Sequence, residues 1–541
     1  MASAIATRSP LKLAIIGAGP SALYSASRLL AQLPKDSPQG KDVEVHVYER
    51  LPAPHGLVRY GVAPDHPEVK NVQHKFDLLQ SDNRFRFFGN VHIGPPPADS
   101  SASAERTTTL PLRSLTPHYT HLLLSYGSSL SSSLRNVSGS SGSPKGRLRN
   151  VFTALEFVGW YNGHPSSRHI RPDLENVRHV TIIGQGNVAL DCARILLKRV
   201  DDLKDTDIPD SVLDILKKSS VHTVEVVGRR GAGQVAFTTK EFREMMNLDG
   251  CAFEPIEKDV IERAIHDVDQ TPTPDARMRK RLLGLIAKGN GPVQPSTSSL
   301  KTGTFKLRFL RSPKSFDPSP ESPDKIGSIT WTKNALLSPP VPPVATTAPN
   351  SNPSPSPPHS PDLTSPQQAL AMPTAEEITT ETDLVIESVG YRSEGLEDVP
   401  FDEVKGRIRN MSGRVVDQDG VPIPNVYSSG WVSRGPIGVI ASTMYDAYST
   451  MDLLLSDHSL LPLPSPSSSE TSTLMPIKTS LGLQTPPLQG LPSQISSAGQ
   501  SVISYESWKK IEQAELERGL AKGRTGSEKI STVEEMLDVV S

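Results

Sequence analysis

The sequence predicts an α/β protein with doubly wound parallel sheets. Apolar stretches of strand length, such as Lys12 to Ile16 and Val180 to Ile183, are each followed by a glycine-rich turn and a helical pattern. That order is typical of parallel sheets covered by helices on both faces. The chain of 541 residues is long enough for roughly two to four domains.

The first strand runs into a GxGxxA turn that contains Gly17, Gly19, Pro20, Ser21 and Ala22. Its first glycine allows the tight turn, the second lets the backbone approach a pyrophosphate, and the small final residue lets helix and strand pack closely. The next strand, Val43 to Tyr48, is followed by Glu49, whose carboxylate accepts hydrogen bonds from a ribose diol and repels a 2′-phosphate. The first turn is therefore predicted to bind FAD or NAD and not NADP.

A second copy of the pattern follows Val180 to Ile183 and begins with Gly184, Gln185, Gly186 and Asn187. The strand after it, Thr223 to Val227, leads into Gly228 and then Arg229 and Arg230. Because guanidinium groups suit a phosphate monoester, this turn is predicted to select NADP over NAD. One such turn, or one arginine pair on a solvated face, is a weak signal. Two such turns in one chain are a much more specific signal when a carboxylate follows the next strand in one case and two arginines follow it in the other.

Composition excludes several other classes of protein. The 57 basic and 59 acidic residues nearly cancel, so the whole molecule is not expected to bind nucleic acid. The two cysteines, Cys192 and Cys251, are too few and too far apart for a CxxC redox pair, a zinc site or an iron–sulfur cluster. No metal site is expected, and no apolar run approaches the ~20 residues of a membrane helix.

Four stretches rich in Ser, Pro, Thr and Gly are expected to be poorly ordered loop insertions: residues 94–113, 128–147, 338–373 and 461–499. Such segments bury too little apolar surface to offset the entropy of ordering.

The remaining motifs resemble the adrenodoxin reductase family of mitochondrial NADPH:ferredoxin reductases. The matching pieces are GAGPSALY, HGLVRYGVAPDHPEVKN, FVGWYNG, IIGQGNVALDCARILL, VGRRGAGQVAFTTKEFREM, RMRKRLL, FLRSP, SVGYRS, SGWVSRGPIGVI and, more weakly, ISYESWKKIEQAE. They extend over nearly the whole chain outside the four stretches. The resemblance implies an NADP-binding domain inserted into a discontinuous FAD-binding domain. The expected limits are 1–126 and 389–541 for the FAD domain and 127–388 for the inserted domain.

The resemblance also implies particular site residues. FAD contacts are implied at Ser21, Glu49, Leu57, Ile93, Trp431, Gly438, Val439 and Ile440. NADP contacts are implied at Gly184, Gln185, Gly186, Asn187, Arg229, Arg230, Glu241 and Gly438. His66 and Asp191 match positions suggested to assist proton and electron transfer. Considered alone, His66 equally fits a turn-rich connection, Asp191 fits a carboxylate favoured by a helix dipole, and Trp431 fits a core position.

The implied activity is transfer of a hydride from NADPH to FAD and of single electrons to an adrenodoxin-like [2Fe-2S] ferredoxin, in support of cytochrome P450, haem or iron–sulfur pathways. Flavin can divide a two-electron step into single ones. Because such ferredoxins are usually acidic, a basic docking site is expected. The resemblance implies ferredoxin contacts at Arg243, Arg277 and Arg281, which without it fit a solvated helix face better.

The family resemblance further implies a monomer on the matrix side of the mitochondrial inner membrane, associated with it peripherally. Residues 1–10 contain one arginine and no acid, but this stretch is short for a transit peptide.

Three other functions fit parts of the pattern. A flavin monooxygenase also carries two dinucleotide turns. A thioredoxin-type reductase does so too, but the cysteine pair that it needs is missing. A degenerate flavoprotein that acts as a sensor or scaffold is the alternative outside enzymes, and the intact glycines and arginines argue against it.

Overall fold

The computed structural model describes residues 11–95, 106–270, 275–289, 303–337, 370–460, 477–478 and 480–541. Within these residues two large sheets form the centre of the molecule. Helices pack against both, as predicted for a doubly wound α/β protein.

The first sheet has a parallel centre and an antiparallel edge. Its strands lie in the order Asn410–Met411, Arg414–Val416, Pro422–Ser428, His121–Leu124, Lys12–Ile16, Glu44–Tyr48 and Phe85–Phe88. The strand Lys12–Ile16 is buried along its whole length, and Ile16 pairs with both Tyr48 and Leu124. The first glycine turn therefore leaves the carboxyl edge of a central strand, where open α/β sheets bind their ligands.

The second sheet is parallel throughout. Its strands lie in the order Cys251–Phe253, Gly303–Arg308, Thr223–Val227, His179–Ile183, Leu384–Glu387 and Val151–Thr153. All of them lie between the two parts of the chain that build the first sheet. The predicted insertion of one dinucleotide-binding fold into another is confirmed.

The sequence pattern did not indicate a third, antiparallel sheet beside the second one. Its strands are Arg311–Ser319, Ser322–Leu337 and Leu370–Glu381. It packs against the second sheet around the fully buried side chain of Trp331, in a core that also contains Val151, Ile183, Val227 and Val385 of that sheet.

The remaining regular elements are helices and short strand pairs. The helices are Pro20–Gln32, Leu57–Tyr60, Pro67–Lys70, Val72–Asp77, Leu112–Leu115, Ala154–Tyr161, Asn187–Leu197, Asp210–Lys217, Thr239–Met246, Lys258–Gln270, Ala276–Lys288, Trp431–Arg434, Ile440–Leu460, Ser493–Ser497, Tyr505–Ala521 and Val533–Val540. The strand pairs are Val91–Ile93 with Thr108–Leu110, Leu130–Ser131 with Tyr391–Arg392, Phe401–Asp402 with Arg407–Ile408, and Ile477–Lys478 with Gln484–Thr485. Among the described helices, none is long and apolar enough to cross a membrane.

The chain passes between the two sheets at two neighbouring points. Leu130–Ser131 pairs antiparallel with Tyr391–Arg392, and the Ser132 N–H donates to Gly390 O over 2.9 Å. The Tyr126 hydroxyl donates to Glu394 O over 2.9 Å. The domain limits at residues 126 and 389 stay predictions, and they lie beside these paired linkers.

The expectation of poorly ordered insertions was wrong for residues 128–147. Ser140 is buried there, and the Ser141 N–H donates to Glu387 Oε1 over 2.8 Å. Folded structure also covers 106–113, 370–373 and 480–499, where Leu481 and Leu483 are buried. Residues 96–105, 338–369, 461–476 and 479 of these stretches lie outside the described residues. Buried apolar side chains, such as Val137, Leu481 and Leu483, and hydrogen bonds to neighbouring elements both hold these stretches in place.

Candidate nucleotide-binding and electron-transfer site

The first glycine turn has the geometry of a phosphate cradle. Gly17 has a φ of 96°, and a Cβ at this position would lie 2.6 Å from Tyr126 Cα. Gly19 is the N-cap of the helix Pro20–Gln32, with no side chain capping that helix end. A Cβ on Gly19 would meet nothing within 4 Å. The first N–H groups of the helix therefore face open space, where they can bind an anion.

Glu49 lies beside this turn at the end of its strand. Its Oε2 accepts the Ala18 N–H over 2.8 Å, and its Oε1 accepts the Leu51 N–H over 3.1 Å. Burial raises the pKa of this carboxyl group, an effect that these backbone hydrogen bonds reduce. Both carboxylate oxygens thus accept backbone N–H groups beside the turn, and the contact of Glu49 with a ribose stays a prediction.

A segment more than 400 residues further along the chain closes the first site. Gly430 has a φ of 78°, and a Cβ there would lie 2.7 Å from Ser21 Cβ. The Ser21 hydroxyl donates to Ser429 Oγ over 2.8 Å. Trp431 follows directly and stacks on Tyr391 with 5.9 Å between ring centroids. Its indole is half-buried and does not belong to the main cores.

The other residues implied in FAD binding differ in placement. Gly438 and Val439 are exposed just before the helix Ile440–Leu460. Leu57 follows Gly56, where a Cβ would lie 3.1 Å from Gly19 Cα, so this loop lies against the first turn. Ile93 is buried in the core.

The second glycine turn repeats the geometry of the first. Gly184 has a φ of 121°, and a Cβ there would lie 2.0 Å from Ser388 O. Gly186 caps the helix Asn187–Leu197 without any capping side chain, and a Cβ on it would meet nothing within 4 Å. The Asn187 side chain accepts the Thr238 N–H over 2.9 Å, which fixes the loop that faces the turn.

Two arginines without a carboxylate partner among the described residues follow the strand Thr223–Val227. Arg229 is exposed and Arg230 is half-buried, and neither forms an ion pair with any described residue. Burial lowers the pKa of Arg230, and the guanidinium groups of Arg229 and Arg279 lower it further. Arg279 donates from Nη1 to Gly233 O over 2.8 Å in the same loop. Uncompensated cations of this kind favour a phosphate group.

The two residues implied in proton and electron transfer each have a charged partner. His66 Nε2 lies 2.9 Å from Glu244 Oε2. Asp191 Oδ1 accepts a hydrogen bond from Arg194 Nη2 over 2.8 Å. Burial raises the pKa of Asp191, while Arg194 and His66 act in the opposite direction. His66 and Asp191 thus belong to one cluster of charges at the junction of the two sheets.

The sequence reasoning missed Glu244 in this cluster. It lies one turn after Glu241 on the helix Thr239–Met246, so helical spacing could have placed both carboxylates near the second turn. Burial raises the pKa of Glu241, and the Thr238 hydroxyl donates to its carboxylate.

The three arginines implied in ferredoxin binding are exposed on two helices that pack together. Arg243 lies in the last turn of Thr239–Met246, and Arg277 and Arg281 lie one turn apart on Ala276–Lys288. None of them pairs with a carboxylate in the described part of the chain. Their neighbours do: Arg279 donates to Asp275 over 2.7 Å, and Lys280 pairs with Asp269.

The described residues contain no cluster of His, Cys, Asp and Glu that could hold a metal ion. Cys192 and Cys251 are buried and not joined in a disulfide.

Two uncapped helix ends, one beside a carboxylate and one beside unpaired arginines, are the arrangement typical of proteins with two dinucleotide-binding domains. No protein-family model matches the sequence. Known proteins do. Human mitochondrial NADPH:adrenodoxin oxidoreductase is 35% identical over 529 residues, which covers 97% of this chain and 91% of the relative. The Arabidopsis thaliana protein of the same name is 30% identical, and the match covers 98% of this chain and 96% of the relative. The chain belongs to the NADPH:adrenodoxin oxidoreductase family, which confirms the resemblance of its motifs.

Solved structures agree with this assignment. The structure of FprA from Mycobacterium tuberculosis in complex with NADPH matches with a TM-score of 0.74 and 29% sequence identity. The match covers 98% of this chain and 99% of FprA.

Proposed function

We propose that the protein is an FAD-containing oxidoreductase that takes a hydride from NADPH and passes electrons singly to an adrenodoxin-like [2Fe-2S] ferredoxin. The observation that carries the proposal is the opposite charge beside two otherwise equal glycine turns. Glu49 stands after the strand that follows the first turn, and Arg229 and Arg230 stand after the strand that follows the second. Membership of the NADPH:adrenodoxin oxidoreductase family supports both assignments.

The first site fits FAD. The uncapped end of Pro20–Gln32 would bind the pyrophosphate, and Glu49 would accept hydrogen bonds from the ribose. Trp431 and the backbone of residues 438–440 would border the flavin, where a helix N-terminus favours negative charge. The bound flavin would supply the conversion between two-electron and one-electron transfer.

The second site fits NADPH. The uncapped end of Asn187–Leu197 would bind the pyrophosphate, and Arg229 and Arg230 would bind the 2′-phosphate. We assign His66 and Asp191 assisting roles near the nicotinamide. Glu244 Oε2 lies 2.9 Å from His66 Nε2 and gives the imidazole a charged neighbour there. Arg194 holds the Asp191 carboxylate in place.

The surface formed by Arg243, Arg277 and Arg281 would dock the ferredoxin. These side chains are exposed and unpaired among the described residues, so they can meet an acidic partner without first breaking an ion pair. We further propose a monomer in the mitochondrial matrix that associates peripherally with the inner membrane. The relatives are mitochondrial by name, which supports the organelle but not the position at the membrane.

One assay tests the whole proposal. The purified yellow protein is titrated with NADPH without oxygen, and cytochrome c reduction is then followed with and without a [2Fe-2S] ferredoxin. We expect NADPH to bleach the flavin and the ferredoxin to be required for rapid cytochrome c reduction. Stoichiometric peroxide with ferredoxin-independent turnover would instead indicate a monooxygenase. Flavin that NADPH fails to bleach would indicate a sensor or scaffold.

A further inference from the structure

A row of charged contacts joins the two dinucleotide-binding folds through residues 65–70. In each contact one partner belongs to this loop, which ends in the short helix Pro67–Lys70, and the other belongs to the inserted fold. The pairs are Asp65 with Arg194 and Lys198, His66 with Glu244, Glu68 with Lys240, and Lys70 with Asp207. The loop that carries His66 is therefore fixed against the fold that carries the second glycine turn.

Arg194 is the centre of this row. Its Nε donates to Asp65 Oδ2 over 2.8 Å, and its Nη2 donates to Asp65 Oδ1 over 3.1 Å and to Asp191 Oδ1 over 2.8 Å. Its Nη1 lies 3.6 Å from Glu244 Oε2, the oxygen that faces His66. One guanidinium group thus donates hydrogen bonds to Asp65 of the first fold and to Asp191 of the inserted fold, and it lies near the Glu244 carboxylate that faces His66.

The ion pair at the centre of this row, Arg194 with Asp65, is buried. The side chains of Arg194 and Asp65 are each only 3% exposed. Burial alone would raise the pKa of Asp65, but hydrogen bonds and charges from Arg194 and Lys198 hold it well below its usual range. Burial likewise opposes the charge on Arg194, yet Asp65 and Asp191 raise its pKa above the ordinary value. Paired charges in a dry environment have a narrow range of acceptable geometries, so they fix the relative position of their elements.

We propose that Arg194 is a positioning residue, which sets the distance between the His66 loop and the helix Asn187–Leu197 and so aligns the nicotinamide with the flavin. This inference rests on the proposed function. The fork of Nε and Nη2 on one carboxylate has a fixed shape that a lysine ammonium cannot reproduce. Arg194 needs no contact with either nucleotide for this role. Its removal should therefore impair alignment much more than nucleotide affinity.

The test compares Arg194→Met and Arg194→Lys with a matched control, Arg199→Met, in the flavin-loaded protein. Arg199 also binds a carboxylate through Nε and Nη2, since it pairs with Asp202 at 3.2 and 2.9 Å, but its side chain is 35% exposed and this pair lies within the inserted fold. Anaerobic stopped-flow reduction at increasing NADPH gives the limiting rate and the apparent Kd separately. Hydrogen–deuterium exchange of residues 65–70 gives a readout independent of activity.

For Arg194→Met we expect the limiting rate to fall about 100-fold, as for a misplacement of about 1 Å, with the Kd for NADPH changed less than about threefold. Amides of the 65–70 loop should exchange faster. Arg194→Lys should recover part of the rate because it restores one charged contact to Asp65. The Arg199→Met protein should match the wild type in all three measurements.

The possible failures are distinguishable. If NADPH does not reduce the wild-type flavin, the proposed function is wrong and this inference falls with it. Normal wild-type reduction with an unchanged limiting rate and unchanged loop exchange in Arg194→Met refutes the positioning role alone, as does a large rise in Kd at an unchanged rate. If Arg194→Met does not fold, an Arg194→Lys protein that folds with wild-type rate and loop exchange refutes it equally.

Discussion

Replacing Arg230 with glutamine removes one of the two cations assigned to the 2′-phosphate of NADPH. Arg230 is half-buried and has no carboxylate partner among the described residues, so no internal ion pair is lost with it. A hydrogen bond to a charged group contributes about 1.5–3 kcal/mol, and partial burial favours the upper part of that range. We therefore expect the variant to lose about 2–3 kcal/mol of binding free energy toward NADPH, which corresponds to a decrease of about 30- to 150-fold in kcat/KM for NADPH.

The preference for NADPH over NADH should fall by the same factor, because NADH lacks the 2′-phosphate. Steady-state ferricyanide reduction with each nucleotide measures both values of kcat/KM. Lys217→Gln is the matched control, since it removes one positive charge from an exposed position of the same fold. The effect of Arg230→Gln should shrink at high ionic strength. A preference that changes less than threefold would refute the assignment of Arg230 to the phosphate.

Three further changes test other parts of the molecule. Gly17→Ala would place a Cβ 2.6 Å from Tyr126 Cα, so this variant should be purified without flavin. Gly184→Ala would place a Cβ 2.0 Å from Ser388 O, so this variant should stay yellow but should not be bleached by NADPH. Absorbance spectra measure both effects, and normal bleaching of Gly184→Ala would contradict the assignment of the second site. Charge reversal of Arg277 and Arg281 should slow ferredoxin-dependent cytochrome c reduction at least about tenfold at low salt, while Lys217→Glu should not, and equal rates would contradict the docking surface. Burial lowers the pKa of His121 to about 3, so the unfolded state binds a proton below about pH 6.5 that the folded state does not, and stability is lost as the pH falls. Between pH 7.5 and pH 5, the free energy of unfolding of His121→Leu should therefore rise by about 2 kcal/mol relative to that of the wild type. Thermal unfolding at both pH values measures this change, and a stability difference between the two proteins that does not depend on pH would contradict it.

The two glycine turns could be predicted because their signal is local. A tight turn, an uncapped helix end and the charge after the next strand all lie within about 50 residues, and each follows from the type of a single residue. The same holds for Glu49, which the structure places beside the first turn through its bond to the Ala18 N–H.

Contacts between distant segments could not be predicted in the same way. Arg194 binds Asp65 across 129 positions, and Ser21 binds Ser429 across 408. Arg194 looks like an ordinary polar residue of an amphipathic helix until the fold brings a buried carboxylate to it. The composition of residues 128–147 wrongly predicted poor order, because it does not show that Ser141 binds Glu387, which lies 246 positions away.

The antiparallel pairing of Leu130–Ser131 with Tyr391–Arg392 has a topological consequence. The inserted fold leaves and rejoins the first fold through adjacent strands, so its entry and exit points coincide in space. A short turn between these strands would make the first fold a continuous chain, and the intervening residues would form a separable cassette with neighbouring ends. Exchange of such a cassette between relatives would preserve the path of the backbone on both sides of the junction.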